Sequence, residues 1–337
     1  MRLIIQIPCF DEEAQLPATI AALPTSVDGF DQVELLVVDD GSTDGTVEVA
    51  RRLGVDHLVK LTNHCGLAAA FQAGLDAALK LGADVIVNTD ADNQYCADDI
   101  PALVAPILAG EADMVIGDRE VDRIEHFSWT KKRLQHLGSW VVRQASGTDI
   151  PDAASGFRAY NRDAALGLTV VSQFTYTLES LIQAGRELIA VTHVPVRTND
   201  QTRDSRLFGS TTSYVGRSMM TIFRVYTGYR PLRIFGFVAV LSFVAGVAAW
   251  TPFLWSWLVN GDRQGHLQSL ILGAVLTLAA VQILAVGILA DLIASHRAIS
   301  HRTLERVRRL ELAAGIPPSH LQRDAEAGER ASPSPTR

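Results

Sequence analysis

The sequence predicts an α/β domain built on a largely parallel sheet, followed by an α-helical hairpin that crosses a membrane. Short apolar runs of strand character alternate with helical patterns over residues 1–116, the order that leaves helices on both faces of a parallel sheet. Acidic residues follow directly on two of those runs, at Asp39-Asp40 and at Asp90-Ala91-Asp92. In such a sheet the C-terminal ends of the strands are where ligands bind. Two later stretches, residues 234–258 and 267–290, hold no charged residue over 25 and 24 positions. Either exceeds the roughly 20 residues needed to cross the hydrocarbon core.

Residues 3–7 are apolar apart from Gln6, as befits a strand covered on both faces. A helix over residues 16–23 follows, with Pro17 tolerated in its first turn. The second strand, residues 33–38, runs into Asp39-Asp40-Gly41-Ser42-Thr43-Asp44-Gly45-Thr46 and then a helix over residues 47–53. Residues 57–61 read as a third strand and residues 66–81 as a helix. Residues 83–88 form the strand that delivers Asp90 and Asp92. Asp98-Asp99-Ile100-Pro101 is a helix entry, acidic at the cap with an early proline, and the helix extends to residue 108. A strand at residues 113–116 follows, and Val194-Pro195-Val196 reads as the last strand of the domain. The strand ends at Pro8, Asp39 and Asp90 then lie along one edge and share one cleft.

Composition bounds the partners. The chain has 337 residues, 48% of them hydrophobic, and its positive mean hydropathy of +0.16 comes from residues 232–293. A net charge of −7 gives no electrostatic footprint for a nucleic acid. Cys9, Cys65 and Cys96 are odd in number, far apart and lack zinc-ligand spacing, so they read as reduced thiols of a cytosol-facing domain. Met1 runs through Ile7 into Pro8 and an acidic stretch, with no secretory signal.

Asp90 and Asp92 repel each other unless something positive sits between them. A hard divalent cation, held by carboxylate oxygens and sharing its other positions with phosphate oxygens, is the natural partner. A solvated Asp-rich turn is the alternative for an Asp-x-Asp taken alone; its place at a strand end favours the cation.

Three segments carry a family resemblance: Pro8-Cys9-Phe10-Asp11-Glu12, Val37-Val38-Asp39-Asp40-Gly41-Ser42-Thr43-Asp44-Gly45-Thr46, and Asp90-Ala91-Asp92-Asn93-Gln94. In this order they resemble the successive motifs of glycosyltransferase family 2. Gly117-Asp118-Arg119, Asp152-Ala153-Ala154-Ser155-Gly156-Phe157-Arg158 and Arg203-Asp204-Ser205-Arg206 resemble the polyprenyl-phosphate sugar transferases, the dolichol-phosphate mannosyltransferase type. The resemblance covers residues 1–207 and implies a GT-A fold, the Rossmann-like fold of nucleotide-diphospho-sugar transferases. Two departures stand out: Phe10 where the family usually has Tyr, and Arg206 where it usually has Lys.

The resemblance implies that Pro8, Phe10, Glu12 and Asp39 hold the nucleoside, with Asp90, Ala91, Asp92 and Gln94 on the diphosphate and sugar. Asp90, Asp92 and Gln94 are the implied ligands of Mg2+ or Mn2+, which would neutralise the leaving nucleoside diphosphate. Arg119, Arg133, Arg203 and Arg206 match basic positions that receive an acceptor phosphate, for which guanidinium forks are suited. Asp92, Arg119 and Arg203 are the implied catalytic residues. Bland readings stand beside these: Phe10 as a core aromatic, Glu12 as a helix-start carboxylate, Asp44 as a cap, and Arg158 as a structural ion-pair partner. Asn63-His64-Cys65-Gly66 resembles a variant of an Asn-rich family loop, and His64 reads as loop structure.

Residues 210–233 mix apolar, aromatic and basic side chains, the pattern of an interfacial helix on a bilayer or of a packed core helix. The spans, about 234–258 and 267–293, are joined by eight residues, 259–266, so both ends face one side. Arg217, Arg224, Arg230 and Arg233 precede the first span, and Arg297, Arg302, Arg306, Arg308 and Arg309 follow the second. Between them stand only Arg263 and its neighbour Asp262. The positive-inside rule then places both termini and the catalytic domain in the cytosol of a multi-pass cell-membrane protein. Trp250, Trp255 and Trp257 suit an aromatic belt at the far interface. Residues 294–337 are basic and then, after Leu312, read as a disordered tail.

The resulting expectation is an inverting transferase that moves one hexose from a nucleotide sugar, of GDP-mannose or UDP-glucose type, to polyprenyl phosphate at a membrane. Association of hairpins into a homo-oligomer is a further expectation. A processive polysaccharide synthase would carry Gln-x-x-Arg-Trp and more spans, and a silent scaffold would have lost the aspartate pair; neither pattern is present. A transporter is disfavoured because the only ionisable residue in two spans is Asp291. Mannose, glucose and N-acetylated sugars all remain open.

Overall fold

A computed structural model describes residues 1–120, 138–140, 142–143, 146–170, 176–199, 227, 231–260 and 266–322. The chain divides into two compact units: Met1–Val215 with Leu304–Arg337, and Gly216–Thr303.

The first unit is built on strands β1 (Arg2–Cys9), β2 (Gln32–Asp39), β3 (His57–Lys60), β4 (Val85–Asn88), β5 (Met114–Asp118), β6 (Arg158–Asn161) and β7 (Val191–Pro195). Its helices are α1 (Leu16–Ala22), α2 (Thr46–Arg52), α3 (Leu67–Lys80), α4 (Ile100–Leu108), α5 (Arg162–Gly167) and α6 (Tyr176–Arg186). The sheet order is β3-β2-β1-β4-β6-β5-β7. Pairs among β3, β2, β1 and β4 are parallel, as the alternation of elements predicts. The sheet is not parallel throughout. β6 runs antiparallel to both β4 and β5, so its chain enters the sheet from the ligand-binding edge. The sheet is a mixed one of seven strands.

β1 is buried along nearly its whole length because helices cover both faces, which explains its unbroken apolar run. Leu3, Ile5 and Ile7 join Val37, Val85, Val87 and Val115 in the main core cluster. Gln6, the one polar residue in that run, is buried and donates its side-chain amide to Asn88 Oδ1 at 2.8 Å. Register places Cys9 opposite Asp39 and Gln6 opposite Asn88, so β1, β2 and β4 end together on one edge.

The chain after Leu304 belongs to the first unit, and the disorder expected from Leu312 onward does not begin there. Glu311 pairs with Lys80 on α3 at 3.3 Å, and Arg309 with Asp163 at 3.0 Å. Arg308 donates Nη1 to the carbonyls of Leu166 and Leu168. Residues 320–322 then lie antiparallel to the edge strand β3: Lys60 N–H donates to His320 O at 3.1 Å and Gln322 N–H to Leu58 O at 2.8 Å. An open sheet edge leaves backbone groups unpaired, and this segment pairs two of them.

The second unit holds α7 (Pro231–Asn260) and most of α8 (Leu267–Ala313), two helices long and apolar enough to cross a membrane. Large apolar side chains such as Phe237, Leu241, Leu258 and Ile271 are exposed along them, as lipid-facing residues are. The Trp250 indole donates to Leu270 O at 3.1 Å and lies against Gly273, where any side chain would collide. Trp250 thus packs helix on helix within this unit, whereas Trp255 and Trp257 are exposed. The expected interfacial stretch before the first span lies almost wholly outside the described residues.

Candidate active site

Three loops meet where β1, β2 and β4 end. The loop after β1 is stitched to the loop after β2: Asp11 N–H donates to Ser42 Oγ at 2.9 Å, Thr43 N–H to Asp11 Oδ1 at 2.8 Å, and Glu12 N–H to Thr46 Oγ1 at 2.9 Å. Glu12 itself is buried. Asp44 accepts from Thr46 N–H at the start of α2, the local role that its position before the helix predicts.

Asp39 is fully buried at the end of β2 and accepts from Ser42 N–H through Oδ1 at 3.2 Å. Its second oxygen, Oδ2, is buried with no hydrogen-bond partner among the described residues. A buried carboxylate oxygen left without a donor costs free energy, and a ligand N–H or O–H repairs it. Asp40 faces differently and binds the loop after β3: Cys65 N–H and Gly66 N–H each donate to it at 2.8 Å, and His64 Nδ1 lies 2.9 Å from Oδ2. Gly41 has φ +74°, and a Cβ there would fall 2.6 Å from the Asn63 carbonyl carbon, so the turn admits only glycine. Phe10 is half-buried and covered by the His64 ring, with centroids 3.9 Å apart.

The loop after β4 carries Asp90 and Asp92. Ala91 is buried and its carbonyl accepts from Thr19 Oγ1 on α1 at 2.7 Å, while Asp92 Oδ1 accepts from Gln94 N–H at 3.2 Å. Asn93 takes a left-handed turn at φ +56°, which folds Gln94 back toward Asp92. Removal from water, then the nearby Asp92 charge, pushes the Asp90 carboxyl up to about 7, against the pull of Arg119 and Arg158. Gly156 lies against Asp90: a Cβ there would stand 3.1 Å from both carboxylate oxygens and 2.7 Å from Tyr176 Oη. The backbone of Gly156 is fixed by Tyr95 Oη, which accepts its N–H at 2.9 Å, and by Asn88, which donates to its carbonyl at 2.8 Å.

Among the described residues no group of three or more His, Cys, Asp or Glu side chains is arranged to hold a metal ion. The pair still fits the implied cation. It sets two carboxylates one residue apart, Asp90 being partly withdrawn from water, and Mg2+ is commonly bound by one or two carboxylates with phosphate oxygens completing its shell.

Arg119 follows β5 and is paired with Asp152 in two-point geometry, Nε–Oδ2 at 2.6 Å and Nη2–Oδ1 at 3.0 Å. Burial opposes its charge, but Tyr95, Asp152 and Asp90 raise its pKa. Arg158, expected as an acceptor-side group or an ion-pair partner, is wholly buried. It donates to the carbonyls of Ala153, Ser155 and Thr177 and to Ser180 Oγ, pinning the 153–156 loop to α6. Arg133, Arg203 and Arg206 lie outside the described residues. Sequence reasoning missed Asp152 as the partner of Arg119. Its place at the head of the 152–158 motif was the only signal.

A buried carboxylate oxygen without a hydrogen-bond partner among the described residues, an acidic pair after β4 and the Arg119 guanidinium after β5 are thus brought to one edge of the sheet. The model for glycosyl transferase family 2 matches residues 4–167, and the chain belongs to that family. It is 33% identical over 169 residues to polyprenol monophosphomannose synthase of Mycolicibacterium smegmatis, a match covering 48% of this chain and 62% of that one. It is likewise 33% identical over 169 residues to undecaprenyl-phosphate mannosyltransferase of Micrococcus luteus, covering 48% and 68%. The chain thus spans less than two thirds of the first of these relatives. The crystal structure of glucosyl-3-phosphoglycerate synthase from Mycobacterium tuberculosis, in complex with Mn2+, UDP and glucosyl-3-phosphoglycerate, shares the fold. Its TM-score is 0.51 at 21% identity, covering 67% of this chain and 78% of that one.

Proposed function

We propose that the protein is a membrane-bound inverting glycosyltransferase that moves a hexose from a nucleotide sugar, of GDP-mannose or UDP-glucose type, to polyprenyl phosphate. The observation that carries this reading is that the Asp90 carboxyl, just beyond the end of β4, feels both the Asp92 carboxylate and the Arg119 guanidinium. One group there is suited to the donor diphosphate and the other to an arriving anion. The acceptor class of the two mannosyltransferase relatives supports the lipid phosphate.

Asp39 Oδ2 accepts a hydrogen bond from the nucleoside, Glu12 supports the ribose, and Pro8 and Phe10 bound the base. Asp90, Asp92 and Gln94 would hold Mg2+ or Mn2+, which when bound would neutralise the leaving nucleoside diphosphate. Gly156 carries no side chain, which lets the Asp90 carboxylate and the Tyr176 hydroxyl pack against its backbone. Arg119, held by Asp152, and Arg133, Arg203 and Arg206 receive the acceptor phosphate. That phosphate needs no strong base, since its second pKa is about 6 and it arrives ionised. The basic flanks of the hairpin support a multi-pass topology with both termini and the catalytic unit in the cytosol.

The test incubates membranes containing the protein with a panel of radiolabelled GDP- and UDP-sugars and extracts the lipid products. A labelled, mild-acid-labile polyprenyl-phosphate sugar is expected. Nucleotide-sugar binding with no lipid product from any donor would instead favour a non-catalytic scaffold that keeps the fold.

A further inference from the structure

We infer that the imidazole of His64 is the stacking plate on which the nucleobase of the donor lies, an inference that rests on the nucleotide-sugar reading above. The ring stands in the loop between β3 and α3, at the ligand-binding edge of the sheet. Its orientation is fixed rather than incidental. Asp40, itself buried, holds three consecutive residues of the loop: His64 through Nδ1, and Cys65 and Gly66 through their N–H groups. A carboxylate only accepts, so Nδ1 carries the proton and the ring is locked in one orientation. Gly41 closes the turn beneath, because any side chain there would strike the Asn63–His64 peptide.

One face of the imidazole lies on Phe10, tilted by 32° at 3.9 Å between centroids, and one edge is held by Asp40. The side chain is nevertheless 54% exposed, so the open surface is the opposite face and the Nε2 edge. Phe10 alone cannot serve as the plate while His64 covers it. Asp39, at the end of β2 and next to Asp40 in the chain, keeps a buried oxygen without a partner among the described residues, a second feature of this sheet edge that suits a nucleotide. An aromatic plate is indifferent to base identity, because every base has a π-face. The arrangement therefore supplies affinity for purine and pyrimidine nucleotides alike.

The experiment uses the full chain in detergent and titrates UDP, GDP and inorganic pyrophosphate, each with Mn2+, by calorimetry. His64→Ala should weaken UDP and GDP binding by about five- to 150-fold, the range for loss of one base–aromatic stack. Pyrophosphate binding should be unchanged, and His64→Phe should restore most of the nucleotide affinity. Three results would overturn the inference. His64→Ala could bind UDP and GDP as tightly as the parent or more so, making His64 only a cover over Phe10. It could lose pyrophosphate equally, making the defect a collapsed loop. His64→Phe could fail to restore what alanine loses. If the parent chain binds pyrophosphate but no nucleotide, both this inference and the nucleotide-sugar reading fall; with parent binding intact, only the role of His64 is at stake.

Discussion

Arg119 and Asp152, 33 residues apart in the chain, form a two-point ion pair with contacts of 2.6 and 3.0 Å. Asp152 is 1% exposed and Arg119 12%, so neither charge has water to fall back on. Removing one partner of a buried pair leaves the other uncompensated, at a cost of about 3–5 kcal/mol. Asp152→Asn should therefore destabilise the first unit by that order, read by denaturant unfolding in detergent. A variant as stable as the parent would mean that the guanidinium finds other acceptors.

Asp92→Asn should cut turnover by about a hundredfold or more, since a bound cation supplies several kcal/mol of charge stabilisation. Stability should hardly change, because Asp92 is only half-buried in the loop after β4, outside the strand itself. Chelation of the parent enzyme should mimic the substitution. Full activity of Asp92→Asn in the presence of chelator would remove the cation from the mechanism.

Truncation after Gly315 deletes the segment that pairs with β3 and leaves both apolar helices in place. Lys60 N–H then loses its acceptor, His320 O, and Leu58 O loses its donor, Gln322 N–H. Two net hydrogen bonds are worth about 1–3 kcal/mol together. Native-state hydrogen exchange should quicken at Lys60 and through residues 63–66, while the central β1 amides keep their protection. Unchanged exchange at Lys60 would show that the terminal segment does not pair in solution.

Lys80 is 7% exposed between Asp76 and Glu311. Burial works against its charge, yet the two carboxylates raise its pKa above the ordinary 10.5. A raised lysine pKa stabilises the fold below the unfolded value and loses that contribution as pH rises through the folded value. Stability should thus be insensitive to this group from pH 7 to 10 and fall above that. Lys80→Met should flatten the alkaline decline in a pH series of melting temperatures, and an undiminished decline would place its origin elsewhere.

Much of the fold was legible because its signals are local. Residues 3–7 had to be a strand covered on both faces, and the observed strand, Arg2–Cys9, is buried almost throughout. The helix entry at Asp99-Ile100-Pro101 was readable from its early proline, and the helix runs Ile100–Leu108, but Asp99 makes no side-chain cap bond and pairs with Arg197 instead. The antiparallel β6 was not legible: Arg158–Asn161 is four residues long, and strand direction depends on where the chain before it returns. Residues 313–322 misled for a related reason. Polar composition predicts disorder when no partner is in view, and β3 is more than 250 residues earlier in the chain.

At the site, the sequence by itself determined which carboxylates stand at strand ends, since Asp39, Asp90 and Asp92 each follow an apolar run too short to place them elsewhere. It determined the two long apolar helices too, because 25 and 24 uncharged positions allow little else. Only the tertiary structure decided what each charge does. Asp39 is the last residue of β2 and Asp40 the first beyond it, and the two side chains meet different surroundings. One turns to the 63–66 loop and the other keeps a buried oxygen unpaired. Arg158 and Arg119 look alike in sequence, yet Arg158 is buried among neutral oxygens while Arg119 meets a carboxylate from a distant loop. Those outcomes depend on which groups three-dimensional packing brings within about 3 Å, a distance that sequence separation does not encode.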